Sequence, residues 1–313
     1  MQRPSDFTIH FFCIGAQKAG TSTLRDILAQ HPAVFIPRHK EAHFTDVNEN
    51  FNKGLDVLYK NHYSTYAGQK WIGNVNPNLQ IETRSVDRIW QTFGVGTKFI
   101  FILRNPVERA YSHYLMSKKR GLEPLSFVNA LEQESVRIKN PKPHLGYYSQ
   151  ELGHFEKNHQ GYILRSTYAP MVRYIQERTD PSTLKLLLFE NFITNQLDVI
   201  NEVCRFLNIN CFTELNAYTH SNEAQKPRSE WVAQIIHTGS KAKSLLKRLV
   251  PDEQMRKKIR TYILSKNLKP MRQEEKKIDA EIYNRVLQQY FIEDIEQTEK
   301  LTNFDLAHWK QHR

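Results

Sequence analysis

Apolar residues recur along this chain in two alternating patterns. Residues 7–14 form an uninterrupted run, rich in β-branched and aromatic side chains, with no charge after Asp6. Such a run predicts a strand buried on both faces rather than an amphipathic helix. Residues 97–103 and 184–190 read the same way, and a further strand is predicted to begin at Trp71 and end by Pro77. Between the runs the period changes to that of a helix. Residues 21–30 place Leu24, Ile27 and Leu28 on one face. Residues 80–92 and 195–207 are predicted helices, and 107–139 predicts two, split near 121–124. Asn105-Pro106 opens the first of that pair, since proline suits the first helical turn. Residues 161–179 carry Leu164, Tyr168, Met171, Val172 and Ile175 at helical core spacing; Arg165 could face the site, but a solvent-facing arginine is the preferred reading. Residues 31–46 read as a loop leading to a short element, and 54–66 as a short helix and loop with exposed aromatics. Residues 140–153 and 211–225 are loop-like, and 230–300 are helical by period.

Strands alternating with helices predict an α/β fold with a parallel sheet flanked by helices. There is no internal repeat, low-complexity tract or clear linker. The whole of 1–313 therefore reads as one domain, with a core over about 7–230 and a helical C-terminal part over about 230–313.

Composition supports a globular protein: 40% of the 313 residues are hydrophobic and 25% charged. No apolar run approaches the ~18 residues of a membrane span. The first apolar run lacks a cleavage-site pattern and is better used as a strand than as a signal peptide. Cys13, Cys204 and Cys211 lack metal-ligand spacing, so free buried thiols and no zinc or iron site are expected. The net charge of +11 is concentrated, because residues 226–277 hold 15 Lys and Arg against 5 Asp and Glu. That concentration suits an anionic partner, although most of these lysines read as solvated helix faces. No helix-turn-helix, RNA-recognition or zinc pattern points to nucleic acid.

The chemistry begins at Gly15–Gly20. A strand, a glycine loop and a helix make a cradle in which backbone N–H groups and the helix N-terminus face an anion. The spacing nearly matches the nucleotide P-loop, but Thr21 stands where that motif has lysine, and Lys18 lies inside the loop. Thr21, Ser22 and Thr23 offer hydroxyls at the helix start. This suits an anionic donor that need not carry a metal. Arg104 ends a strand, where ligands of doubly wound sheets bind, and can fork a phosphate. Ser112 lies two turns into the following helix, and Glu41-x-His43-x-x-Asp46 places three functional side chains close together.

GAQKAGTSTL resembles the 5′-phosphosulfate loop of sulfotransferases that use 3′-phosphoadenosine 5′-phosphosulfate (PAPS), and FILRNPVERAYSHY resembles their 3′-phosphate segment. The resemblance is to the bacterial, heparan-sulfate-sulfotransferase-like branch. It implies a three-layer P-loop-type fold and metal-free, in-line transfer of a sulfuryl group to the hydroxyl or amine of a carbohydrate or small natural product, releasing PAP. It implies that Lys18, Ala19, Gly20, Thr21, Ser22 and Thr23 hold the 5′ end, and that Arg104 and Ser112 hold the 3′-phosphate. Gln225-Lys226-Pro227-Arg228-Ser229 resembles a loop that closes over the nucleotide, with Arg228, helped by Lys226, on the 3′-phosphate. The E-x-H-F-x-D segment implies Glu41 as the base, with His43 as the alternative. Tyr147 and Tyr148 would help shape the acceptor pocket, Glu190 would end a strand, and Trp309 would dock on the core. The branch's acceptor-side lysine is missing from Asn74-Val75-Asn76-Pro77, which points away from heparan towards a small natural product or lipid. Golgi members of the family carry a membrane anchor; a cytoplasmic, bacterial enzyme is expected here. The alternatives are a P-loop kinase or NTPase, which needs lysine at 21, and a non-catalytic binder of anionic ligands.

Overall fold

The computed structural model describes residues 2–38, 41–144, 147–215, 225–227, 229 and 277–312, and parts of 252–270. The larger sheet has five strands: β1 (Phe11–Gly15), β2 (Val34–Phe35), β3 (Trp71–Val75), β4 (Lys98–Leu103) and β5 (Leu184–Leu188). Their order is β2-β3-β1-β4-β5, and every pairing is parallel. β1 is thus central and buried along its whole length, as its uncharged run requires. Phe11 pairs with Gly73 and spreads its ring over it; a Cβ at 73 would lie 2.2 Å from that ring.

The chain leaves β1 through α1 (Thr21–Leu28) towards β2 on one side, passes α2 (Asn48–Phe51) and α3 (Gly54–Leu58), and returns as β3. It then crosses through α4 (Thr83–Phe93) to β4 on the other side of β1. The reversal of strand order around β1 places two loops side by side at the carboxyl edge, the geometry that creates a ligand crevice. Beyond β4 run α5 (Pro106–Lys119), α6 (Phe127–Lys139), α7 (His154–His159) and α8 (Ala169–Gln176). After β5 come α9 (Phe189–Thr194) and α10 (Gln196–Phe206), then a two-stranded antiparallel ribbon of β6 (Gln225–Pro227) and β7 (Leu268–Pro270). The chain closes with α11 (Ala280–Val286) and α12 (Ile292–Thr302). Among the described residues no helix is long and apolar enough to cross a membrane.

The C-terminal part braces the end of β4. Asn105 caps α5, its side chain accepting from the N–H groups of Val107 and Glu108. Its Nδ2 donates to the Tyr283 hydroxyl at 2.7 Å and to the Trp309 carbonyl at 3.4 Å. Trp309 is fully buried, as expected of a docked tryptophan. Asp294 of α12 accepts from the N–H groups of Tyr168 and Ala169 at the start of α8, and burial pushes its carboxyl up to about 6.

Several expectations need correction. Residues 161–179 are not one helix: a 3₁₀ turn at Leu164–Ser166 and an extended Thr167 reset the phase before α8. Arg165, expected at the surface, is therefore completely buried. Tyr59 and Tyr63, expected to be exposed, are buried in a π-helical turn, their rings packing edge-on against Phe7. Residues 268–270, inside a region read as helical, form β7, and 225–227, read as loop, form its partner. Cys13 and Cys204 are buried free thiols, but Cys211 is exposed beyond α10. Most of 230–276 lies outside the described residues.

Asn105→Ala removes a helix cap and leaves buried partners unsatisfied. It should lower stability by ~2–3 kcal/mol, about 1 of it from the cap. Chemical denaturation followed by fluorescence measures this; a midpoint unchanged from wild type would show that the brace does not hold the strand end.

Candidate functional site

β1 delivers Gly15 at the crevice. A Cβ there would lie 2.0 Å from Gln80 Oε1, so any side chain at 15 would have to displace the Gln80 amide, which donates to the Arg165 carbonyl. The Ala16 N–H donates to the Ile102 carbonyl of β4 at 2.8 Å, which keeps the loop on the sheet edge. Lys18 and Gly20 both take positive φ, at 73° and 81°. Glycine makes this inexpensive at 20, whereas at Lys18 the surrounding loop must hold the backbone. Gly20 is the N-cap of α1, no side chain caps that helix, and its first turn contains no acid. Ala19 and Thr21 are buried, and Lys18, Ser22 and Thr23 are half-buried.

Arg104 arrives from the neighbouring strand. Its Nη1 donates to the Lys18 carbonyl at 2.8 Å, and its Nη2 lies 3.2 Å from Glu108. The guanidinium stacks 4.7 Å from the centre of the Phe189 ring, while Nε is buried with no hydrogen-bond partner among the described residues. Glu190, in the first turn of α9, accepts from the Asn105 N–H at 3.0 Å. Tyr168 donates to the Arg104 carbonyl at 2.8 Å. Carboxylate, tyrosine and ring thus fix the strand end from three sides.

Ser112 is half-buried on α5, against which β6 lies. The ribbon carries the Lys226 backbone to that helix. The Lys226 side chain and Arg228 lie outside the described residues.

The predicted acid–base triplet is assembled. His43 Nδ1 donates to Asp46 Oδ2 at 2.8 Å, and its Nε2 faces Glu41 Oε2 at 3.6 Å. Asp46 also accepts from Asn76 Nδ2 at 2.9 Å and Asn78 Nδ2 at 3.5 Å. Glu41 and His43 both have positive φ, 65° and 47°. The Glu41 N–H donates to the Val75 carbonyl at 3.2 Å, and Asn50 Nδ2 donates to the His43 carbonyl at 3.0 Å. Burial alone would lower the His43 pKa, but the hydrogen bond and charge of Asp46, with the charge of Glu41, outweigh it and raise it above 6.5. Asp46 answers in the opposite sense: burial is overcome by His43, and its carboxyl stays below the usual range.

Tyr148 covers this imidazole, with ring centres 4.3 Å apart and planes inclined by 28°. Its hydroxyl accepts from Asn78 Nδ2 at 3.2 Å and Asn158 Nδ2 at 3.0 Å. Asn158 Nδ2 also reaches the Tyr147 hydroxyl at 2.8 Å, so Tyr148 packs on His43 and Tyr147 lies next to it, one residue further from the imidazole. Behind them stand two arginines, of which the sequence offered Arg165 only as the lesser alternative and did not point to Arg109. Arg165 donates to the Pro77 carbonyl at 3.1 Å and to Asn158 Oδ1 at 3.3 Å, and Arg109 to Ser166 and the Tyr162 carbonyl. Burial pushes these guanidiniums down to about 10 and about 9. The two arginines place fixed positive charge behind the crevice.

The loop after β1 thus meets Arg104 from the end of β4, and the Glu41–His43–Asp46 cluster is tied to the end of β3 through the Val75 carbonyl. The sulfotransferase domain family matches the chain over residues 8–291. The chain belongs to the sulfotransferase family. Among curated proteins it is similar to the membrane-associated sulfotransferase kil1 of Dictyostelium discoideum, 30% identical over 139 residues, covering 42% of this chain and 29% of that protein. It is also similar to human heparan sulfate glucosamine 3-O-sulfotransferase 5, 35% identical over 101 residues, covering 32% of this chain and 28% of that protein. The matches thus span less than a third of each curated relative. A sulfotransferase structure from Alicyclobacillus acidocaldarius shares the fold, with a TM-score of 0.65 and 22% identity over 97% of this chain and 100% of that one. Family membership agrees with the resemblance of the segments that carry Lys18 and Arg104.

The raised His43 pKa ties stability to pH. Its contribution is complete below the ordinary histidine value and is lost as pH rises through the higher folded value. Asp46→Asn removes the main raising partner of the His43 imidazole, so His43 should titrate at a lower pH by NMR. An unmoved titration would show that Asp46 does not set its charge.

Proposed function

We propose that this sulfotransferase uses PAPS as donor and a hydroxyl or amine of a carbohydrate or small natural product as acceptor, with Glu41 as the base. The observation that carries the donor assignment is the Arg104–Lys18 contact, which sets a strand-end guanidinium against the loop lysine. The residues present fit a bis-anionic nucleotide. The N-terminus of α1 lacks a side-chain cap and acidic neighbours, and the buried Arg104 Nε has a donor to offer. In this reading Lys18, Ala19, Gly20, Thr21, Ser22 and Thr23 hold the 5′ end. Arg104 and Ser112 hold the 3′-phosphate, joined by Lys226 and Arg228. When bound, PAPS supplies the sulfuryl group, and PAP leaves.

The base is argued from charge. A cationic imidazole has no lone pair with which to take a proton, and Asp46 holds His43 in its cationic form to higher pH. Glu41 retains acceptor oxygens beside it, and a hydroxyl must lose its proton as it attacks. His43 then acts as the positive partner that orients the Glu41 carboxylate. A sugar hydroxyl is supported by the similarity to a heparan sulfate glucosamine 3-O-sulfotransferase. The asparagines at 74 and 76 support a smaller acceptor than heparan itself. The free thiols of Cys13 and Cys204 fit a cytoplasmic location.

Calorimetry should show tight binding of PAP and weak binding of AMP, because only PAP carries the 3′-phosphate. Arg104→Ala should weaken PAP about 10- to 100-fold, the ~1.5–3 kcal/mol of a charge-assisted contact, and leave AMP nearly unchanged. Equal affinity for the two nucleotides would remove the donor assignment. With labelled PAPS, Glu41→Gln should lower turnover by about 10²–10⁴. If His43 were the base instead, the wild-type rate would climb with pH through the raised His43 pKa and Glu41→Gln would keep its activity.

A further inference from the structure

We propose that His154 is a positioning residue for the acid–base group: a second imidazole on the Asp46 oxygen that holds His43, which limits how strongly that carboxylate draws charge onto His43. The inference takes its bearing on catalysis from the roles proposed above for Glu41 and His43, but its geometry stands without them. His154 opens α7 directly after Gly153, whose positive φ of 83° turns the chain. Its side chain is 11% exposed, and its Nε2 lies 4.0 Å from Asp46 Oδ2. The same oxygen accepts from His43 Nδ1 at 2.8 Å. One buried carboxylate thus faces two imidazoles.

The tautomer of His154 follows from its other nitrogen. Nδ1 lies 3.1 Å from the Tyr147 hydroxyl. That hydroxyl accepts from Asn158 Nδ2 at 2.8 Å, which leaves its own proton for the imidazole. Nδ1 is then an acceptor, and the neutral ring carries its proton on Nε2, towards Asp46. At 4.0 Å that N–H is too far to bond the carboxylate directly, and the gap suits one bridging water. Asp46, Asn78, Ser85 and His154 line one small cleft, where Asn78 Oδ1 and Ser85 Oγ are buried without hydrogen-bond partners among the described residues. They give such a water the further partners it needs.

Charge decides which imidazole is the cation. At His154 burial lowers the pKa and outweighs the pull of Asp46, Glu151 and Glu82, while His43 also opposes a second cation. Glu151 and Glu82 are themselves engaged by Arg84 and Lys157. At His43 burial acts in the same sense, joined by Arg165, but Asp46 and Glu41 prevail and raise the pKa. The pair therefore holds one positive charge, on His43, beside a neutral N–H donor on His154. That donor steadies the Asp46 carboxylate and draws on the same oxygen as His43 does. Its loss would leave Asp46 to act on His43 alone.

The test uses the full chain without nucleotide or acceptor. Long-range proton–nitrogen NMR of the unsubstituted protein reads the neutral tautomer of His154: the Nε2–H form is expected, and the Nδ1–H form would overturn the proposal. His154→Phe keeps a ring but loses the donor, and His43 should then titrate at higher pH, by about half a unit or more. His154→Gln places an amide N–H near the position of Nε2 and should return the His43 titration close to its original value. A His43 titration unmoved or lowered in His154→Phe, or shifted equally in both variants, would show that this ring serves packing alone. Should His154→Phe fail to fold, the tautomer still decides, since it needs no substitution. None of these readings depends on turnover, so a Glu41→Gln variant that kept its activity would remove the proposed base and leave this result standing.

Discussion

One contact governs the layout of this enzyme: the hydrogen bond from the Arg104 guanidinium to the Lys18 carbonyl. It exists because β1 and β4 are neighbours in the sheet although about eighty residues of chain separate them. The strand-order reversal leaves the loop after β1 and the turn after β4 facing each other, and the bond draws them together. Glu190, Tyr168 and Phe189 then hold the arginine's strand end and side chain, so the cation is directed rather than merely present. A guanidinium fixed in this way needs little reorganisation to meet an anion, which is where electrostatic stabilisation gains most.

The two halves of the site are held by different means. The donor half rests on backbone bonds of the sheet and one side chain across it. The acid–base half rests on side chains, with Asp46 gathering His43, Asn76 and Asn78, and Tyr148 lying over the imidazole. Glu41 and His43 also adopt left-handed backbone conformations that their side chains disfavour. Such a conformation persists only when its surroundings over-determine it, here through the Glu41–Val75 and Asn50–His43 hydrogen bonds.

How much was legible in the sequence follows from this division. Strands β1, β4 and β5 announced themselves because long apolar runs have few other uses, whereas β2 fell in a stretch read as a loop; Gly15, Lys18 and Arg104 could be placed near strand ends without knowing the sheet order. The triplet Glu41, His43 and Asp46 was legible because its members are close in the chain. Arg165 was not. Its burial depends on a 3₁₀ turn that breaks helical phase, and on Pro77 and Asn158 arriving from elsewhere. Tyr59 and Tyr63 were misjudged for a similar reason, since only packing against Phe7 shows which way they point. The β6–β7 ribbon pairs segments about forty residues apart, a long-range fact with almost no local signature.

The buried arginines bear on how the site balances its charge. Lys18, Arg104, Arg109 and Arg165 supply cations here, while Glu41, Asp46, Glu108 and Glu190 supply carboxylates, Glu108 directly against Arg104. Burial pushes Arg109 and Arg165 down to about 9 and about 10, which still leaves both charged at neutral pH. Replacing them by apolar residues of similar volume would relieve a desolvation cost, so their contribution to stability alone is a weak account of their presence. The bis-anionic donor proposed above gives a better one. The interior cost of the arginines is then tied to the charge that the site is built to accept.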